Sequence, residues 1–175
     1  MSTAAVTRDA AITAKRVEHL EKLETQLDLI YNWTYERQRQ ELRDLYSKAK
    51  RSQWIPEDIL PWDLDVDVSK PNGPPEFHPL FGSDVHKKLT PKEHETLNAE
   101  LNAWTLSQFL HGEQGAMFAA TQLVGAVPDM ESKYYAATQV VDEARHVEVY
   151  DRYLHEKVGF SYGISPHLKT LLDLI

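Results

Sequence analysis

Between Pro91 and Pro128 the chain runs 36 residues without a proline, and the stretch opens with strong helix-start signals. Thr90-Pro91-Lys92-Glu93 supplies an N-cap threonine, a proline at the first helical position and a glutamate three residues after the cap. The pattern predicts one helix over 90–127, roughly 55 Å long at 1.5 Å per residue. Asp129 can cap a following helix over 129–158, which Gly159 stops. The joining turn is only "VPD", so the two helices must lie antiparallel and side by side. A long antiparallel pair fixes the class as all-α, one side of a helical bundle.

The rest of the chain is read around that pair, as a single domain over 1–175. Val17, Leu20, Leu23, Leu27 and Ile30 recur at spacings of three and four, with Leu42 and Leu45 as a weaker continuation. They predict a mostly polar N-terminal helix over 9–54, lying on the outside of the bundle. Six of the nine prolines fall between Pro56 and Pro79, so the stretch from Ile59 to Gly82 cannot be helical and 55–89 is predicted as a proline-rich, ordered connection. Trp54, Trp62, Phe77 and Phe81 are too apolar for a free linker and predict that this connection is ordered by aromatic anchors. Ser165-Pro166 begins a further helix over 165–175.

The chain has no cysteine, which removes disulfides, thiolate metal sites and cysteine nucleophiles. A metal would have to be held by carboxylate and imidazole, a donor set that suits iron, manganese or zinc. The net charge of −8 argues against nucleic acid and anionic membrane surfaces as partners. "MSTAAVTRDAAITAKR" has no apolar signal-peptide core and no run approaches membrane-spanning length, so a cytoplasmic location is expected.

On the second long helix, Glu143-x-x-His146 sets a carboxylate and an imidazole one turn apart. With 15 Glu and 8 His, about 0.7 such pairs arise by chance, so the motif alone decides little. Register decides more. Glu113 lies 15 residues before Pro128 and Glu143 lies 15 after it, which places both carboxylates at one height on the hairpin. Glu113 also shares a face with Leu106, Phe109, Leu110, Met117 and Ala120, where an unpaired carboxylate is costly. Gly112, Gly115, Ala116 and Ala119 around it predict the close approach of another helix. Glu113, Glu143 and His146 are therefore the candidate metal ligands.

"HGEQGA" followed by "DEARH" resembles the first half of the ferritin-like di-iron carboxylate superfamily. That superfamily includes the ribonucleotide reductase small subunit and the bacterial multicomponent monooxygenase hydroxylases. "AKRSQW…DVDV" and "YLHEKVG" extend the resemblance over most of the chain. It implies a ferritin-like four-helix bundle with two irons per complete bundle, or manganese or a manganese/iron pair. It implies an oxidase or monooxygenase that activates O2 on a small organic substrate. Glu113 would be a terminal ligand, Glu143 a bridging carboxylate and His146 the imidazole of the same iron. Asp142 and Arg145 would stand behind the ligands, the aspartate orienting a histidine of the opposite half. Tyr150, four residues after His146, takes the spacing of a redox tyrosine, although the position is better read as a hydrogen-bonding core tyrosine.

The family builds its site from two glutamates and two Glu-x-x-His motifs on four helices. Here only His146 has a glutamate three residues before it. Three expectations follow: the sequence is the N-terminal half of a longer protein, it forms a homodimer that pairs two half-sites, or a second-half chain completes it. Self-association is favoured, because an apolar two-helix face invites it. The rival readings are a ferritin-like iron-storage or non-catalytic assembly protein, and a mononuclear zinc or manganese site on the half alone. Glu36 is a weaker candidate ligand. Asp63, Asp65 and Asp67 alternate like a calcium loop but lack its glycine and its final glutamate. His86, His94, His111 and His155 are expected to be surface histidines.

Overall fold

The computed structural model describes residues 22–174, which form helices and no strands. Six α-helices follow in order: α1 (Gln40–Arg51), α2 (Pro56–Ile59), α3 (Asp84–Lys88), α4 (Pro91–Ala126), α5 (Met130–Tyr153) and α6 (Pro166–Leu172). No helix among the described residues is long and apolar enough to cross a membrane.

The hairpin of α4 and α5 is the spine, and its ends are set by local chemistry. Thr90 Oγ1 accepts the Glu93 amide at 3.3 Å while the Glu93 carboxylate accepts the Thr90 amide at 2.7 Å. Two otherwise unpartnered donors of the first turn are thus satisfied reciprocally, with Pro91 preset for the helix. Val127 turns extended before Pro128 and ends α4. Asp129, almost fully buried, starts α5 by accepting the Ser132 amide and hydroxyl, each at 2.8 Å. At its far end α5 passes into one π-helical turn, Leu154–Val158, which closes on Gly159 in the left-handed conformation at φ 86°.

Two smaller elements flank the hairpin. α1 lies along α5, through stacking of Tyr46 on Tyr134 at 5.3 Å and an ion pair of Arg43 with Glu131 at 3.2 Å. α6 lies on α4 at Gly115, where a Cβ would sit 3.0 Å from Leu172 Cδ1 and closer still to Cδ2. Only glycine at 115 lets the two helices approach this closely. Gly112 has no such neighbour within 4 Å of a Cβ position among the described residues, so the expected close approach holds for one glycine of the pair.

The N-terminal helix predicted over 9–54 is corrected: among the described residues it forms only over Gln40–Arg51. The part before residue 22 lies outside the described residues, and 22–39 carries no helix. The cause is a tertiary contact at the hairpin tip. The Ile30 amide, which a helix would spend on its own carbonyl four residues back, donates to the Gly125 carbonyl at 3.0 Å. Leu27 and Leu29, two residues apart as on one face of a strand, lie against Gly125. Asn32 Nδ2 donates to the Pro128 carbonyl at 3.1 Å while its Oδ1 accepts from the Thr34 amide, a turn that excludes helix.

The connection over 55–89 is ordered, but by partly different anchors. Trp62 Nε1 donates to the Pro56 carbonyl at 3.0 Å, and Arg152 of α5 sits 4.1 Å over the Trp62 ring. Lys157 donates to the Trp62 and Leu64 carbonyls, and Asn102 of α4 donates to the Val68 and Lys70 carbonyls. Phe77 and Phe81 remain exposed, so backbone carbonyls held by polar side chains replace two of the expected aromatic anchors.

Candidate metal centre

Glu113 projects from the middle of α4, and Glu143 and His146 project from successive turns of α5. His146 Nδ1 lies 3.2 Å from Glu113 Oε2 and 2.9 Å from Glu143 Oε2. One ligand atom from each residue falls within 4.8 Å of the others, and this is the one group of its kind among the described residues. The equal heights expected on the hairpin therefore bring the three side chains to one point.

The setting is half-buried: the side chains of Glu113, Glu143 and His146 are 24%, 21% and 40% exposed. Burial pushes the Glu113 carboxyl above the usual carboxylate range, and the adjacent Glu143 adds to this, with His146 opposing. Two carboxylates facing one another in a partly dry seam repel when both are ionised. A divalent cation would remove that conflict, and two carboxylate oxygens with one imidazole nitrogen form a donor set suited to iron, manganese or zinc. The residues present fit such an ion.

Tyr150 follows one turn after His146 and stacks on Phe109 of α4, with ring centroids 5.8 Å apart. Burial, then the neighbouring Glu113 charge, holds its phenol above the ordinary value, so the hydroxyl keeps its proton. Asp142 and Arg145 are both engaged on the α1 side of α5. Arg145, buried, pairs with Asp142 at 3.1 Å, donates to Gln53 Oε1 and lies 5.0 Å over the Trp54 ring. Gln53 Nε2 closes the circuit by donating to Asp142 at 3.4 Å. Gln53 and Trp54, just past the end of α1, were not foreseen as site support, because 92 residues separate Gln53 from Arg145.

The remaining candidates lie elsewhere. Glu36 is exposed on the non-helical segment before α1, outside the carboxylate–imidazole group. Asp67 accepts the Ser69 amide at 3.1 Å and the Ser69 hydroxyl at 2.6 Å, forming a local turn. His111 Nε2 bonds the Tyr162 carbonyl at 2.9 Å and His155 Nδ1 the Asp151 carbonyl at 2.9 Å. His86 and His94 are not isolated surface groups: their rings pack on one another, and His86 also packs on His78. Compared with family models, curated proteins and solved structures, the chain finds no match.

Proposed function

We propose that the chain supplies one half of a ferritin-like, non-haem di-iron oxidase or monooxygenase, acting with O2 on a small organic substrate. The observation that carries this reading is the meeting of Glu113, Glu143 and His146 within 4.8 Å across the α4–α5 seam. Iron, or manganese in its place, supplies when bound the redox chemistry that no side chain of this chain can provide.

The chain's own groups have separate tasks. Glu113 and Glu143 bring carboxylate oxygens to the seam, and His146 brings one imidazole nitrogen. The Arg145–Asp142–Gln53 circuit holds α1 against the ligand helix and keeps the α5 face aimed inward. Gly112, with open space beside it next to Glu113, leaves room for a small acceptor. Tyr150, stacked on Phe109 one turn after His146, is the residue to which a redox role is assigned in this proposal.

Completion of the site is proposed to come from a second copy of the chain, or from a chain carrying the matching half. Two half-sites bring four carboxylates, which two divalent cations neutralise. Phe109 is 51% exposed beside the site, an apolar group that favours association.

Native mass measurement with metal analysis tests the proposal. Two irons per pair of chains are expected after anaerobic loading, with an absorption band appearing in air that Glu143→Ala removes. A large cage holding many irons per chain would instead mark a storage protein. A second reading is favoured by the compactness of the triad itself, in which three ligand atoms already converge without a partner. It is a single zinc or manganese ion per chain, insensitive to oxygen.

A further inference from the structure

Three histidine rings pack together where the proline-rich connection meets the start of α4. His78 follows the 3-10 turn Pro75–Phe77, His86 belongs to α3, and His94 lies near the start of α4. The His86 ring sits between the other two, its centroid 4.8 Å from that of His78 and 4.6 Å from that of His94, with Phe81 at its edge 6.4 Å away. While neutral, the three rings pack as phenylalanines would, and they join three separate elements. What histidine adds is a charge that appears in mildly acidic solution.

The surroundings make that charge costly. His78 Nδ1 accepts the Leu80 amide at 3.1 Å, a bond that exists only while this nitrogen is unprotonated, because both nitrogens of an imidazolium are donors. His78 Nε2, which then carries the proton, is buried without an acceptor. Among the described residues, no carboxylate comes within ion-pair distance of any of the three rings. On α3, Asp84 pairs with Lys87 at 3.7 Å. On α4, Glu93 is the carboxylate that feels the charge of His94, and it is spent on the Thr90 amide and hydroxyl at 2.7 Å each. Glu76 of the 3-10 turn, Lys88 of α3, and Lys92 and Glu95 of α4 form no pair with the rings. Partial burial, and then the neighbouring His94 and His78, hold His86 below its ordinary value of about 6.5, so the packed cluster favours its neutral form.

We propose that His78, His86 and His94 form an acid-released clasp, whose neutral rings hold α3 and the end of the connection on the start of α4. Protonation of His78 breaks the bond from the Leu80 amide and places a positive ring 4.8 Å from that of His86. A second proton, on His86 or His94, makes packed neighbours like-charged with no carboxylate between them. Because His86 is lowered in the folded chain, the closed cluster is fully stable above its ordinary value of about 6.5 and loses stability as pH falls from there through the folded value. His78 also lines a cavity of about 280 Å³ between the connection and α4, together with Pro74, Phe77, Asn98, Asn102 and Thr105. Release of the clasp frees that wall of the cavity, so its width becomes pH-dependent.

The clasp is independent of the carboxylate centre and is tested on the full chain without added metal. Histidine-ring and amide resonances are followed from about pH 8 to about pH 4.5, the range in which imidazole titrates. The His86 ring should titrate below 6.5, the Leu80 amide should shift, and the cross-relaxation between the His86 and His94 rings should vanish as His86 protonates. The Tyr46–Tyr134 contact of α1 with α5 should persist over the same range, which separates release of the clasp from acid unfolding. His86→Phe keeps the ring packing without the charge, and the ring at position 86 should then stay on His94 in acid. If that variant does not fold, the unaltered chain still decides. A His86 ring that titrates at or above 6.5, a His86–His94 contact that survives protonation, or its loss only together with the Tyr46–Tyr134 contact would overturn the proposal. So would a folded His86→Phe chain that opens in acid as the unaltered one does.

Discussion

Glu113 and His146, 33 residues apart in sequence, meet at 3.2 Å across the seam between α4 and α5. Neither residue is adequately satisfied by this contact alone. Burial holds the Glu113 carboxyl above its ordinary range, while His146 Nδ1 shares its one position between two carboxylates. Two carboxylates sharing one imidazole in a partly dry seam are locally unfavourable, and sites of function are where such conflicts persist.

Substitution of Glu113 should separate stability from binding. A carboxyl raised in the folded state makes the metal-free protein lose stability as pH rises from the unfolded value of about 4.5 through the folded one. Glu113→Gln should therefore raise the metal-free Tm by a few degrees at neutral pH, flatten that pH dependence and weaken Mn2+ binding at least tenfold. Calorimetric melts between pH 4 and 8, with and without Mn2+, check both halves.

The α4–α6 contact gives a packing prediction. Gly115→Ala places a methyl group against Leu172 and should cost about 1–3 kcal/mol, the range for overfilling a packed contact. Leu172→Ala should recover much of that loss in the double variant, because it frees the same space. Hydrogen exchange of the α6 amides reports whether the helix has lifted away.

Glu131 is 1% exposed, and its Oε2 has no partner although Oε1 pairs with Arg43. Arg43→Met should leave a buried, unpaired carboxylate and cost about 3–5 kcal/mol. Arg43→Met/Glu131→Leu should recover most of it, since an apolar pair needs no counter-charge. Urea denaturation of the two variants distinguishes this from a simple loss of packing, which the double variant would deepen.

Asp129 predicts the acid limb of stability. Burial alone would raise its carboxyl, but the Ser132 amide and hydroxyl, with Arg39 at 3.3 Å, outweigh burial and hold it below the ordinary value. Its contribution is complete above the unfolded value of about 3.8 and disappears as pH falls through the folded one. Asp129→Ala should cost about 1 kcal/mol at pH 7 and almost nothing in strong acid.

The hairpin was legible because its determinants are local: the Thr90–Glu93 box, Pro91, Asp129 and Gly159 act within a turn of themselves. Register then carried Glu113 to the height of Glu143, with no knowledge of side-chain contacts. The segment 22–39 was not legible, because its apolar spacing fits a helix, whereas its backbone is claimed by Gly125 and Pro128, about a hundred residues away. The histidine cluster escaped for another reason. His78, His86 and His94 are eight residues apart in sequence, a spacing with no meaning across two turns and a helix start. Gln53 and Trp54 meet Arg145 only through the docking of α1.

The most direct test of the central claim is the electron paramagnetic resonance of Mn2+ bound to 15N-histidine-labelled chain. The account predicts bound Mn2+ with an imidazole nitrogen coupling that His146→Ala abolishes, and loss of the bound ion in Glu113→Gln/Glu143→Gln. Mn2+ that stays free at millimolar concentrations, or a nitrogen coupling that survives His146→Ala, would contradict it.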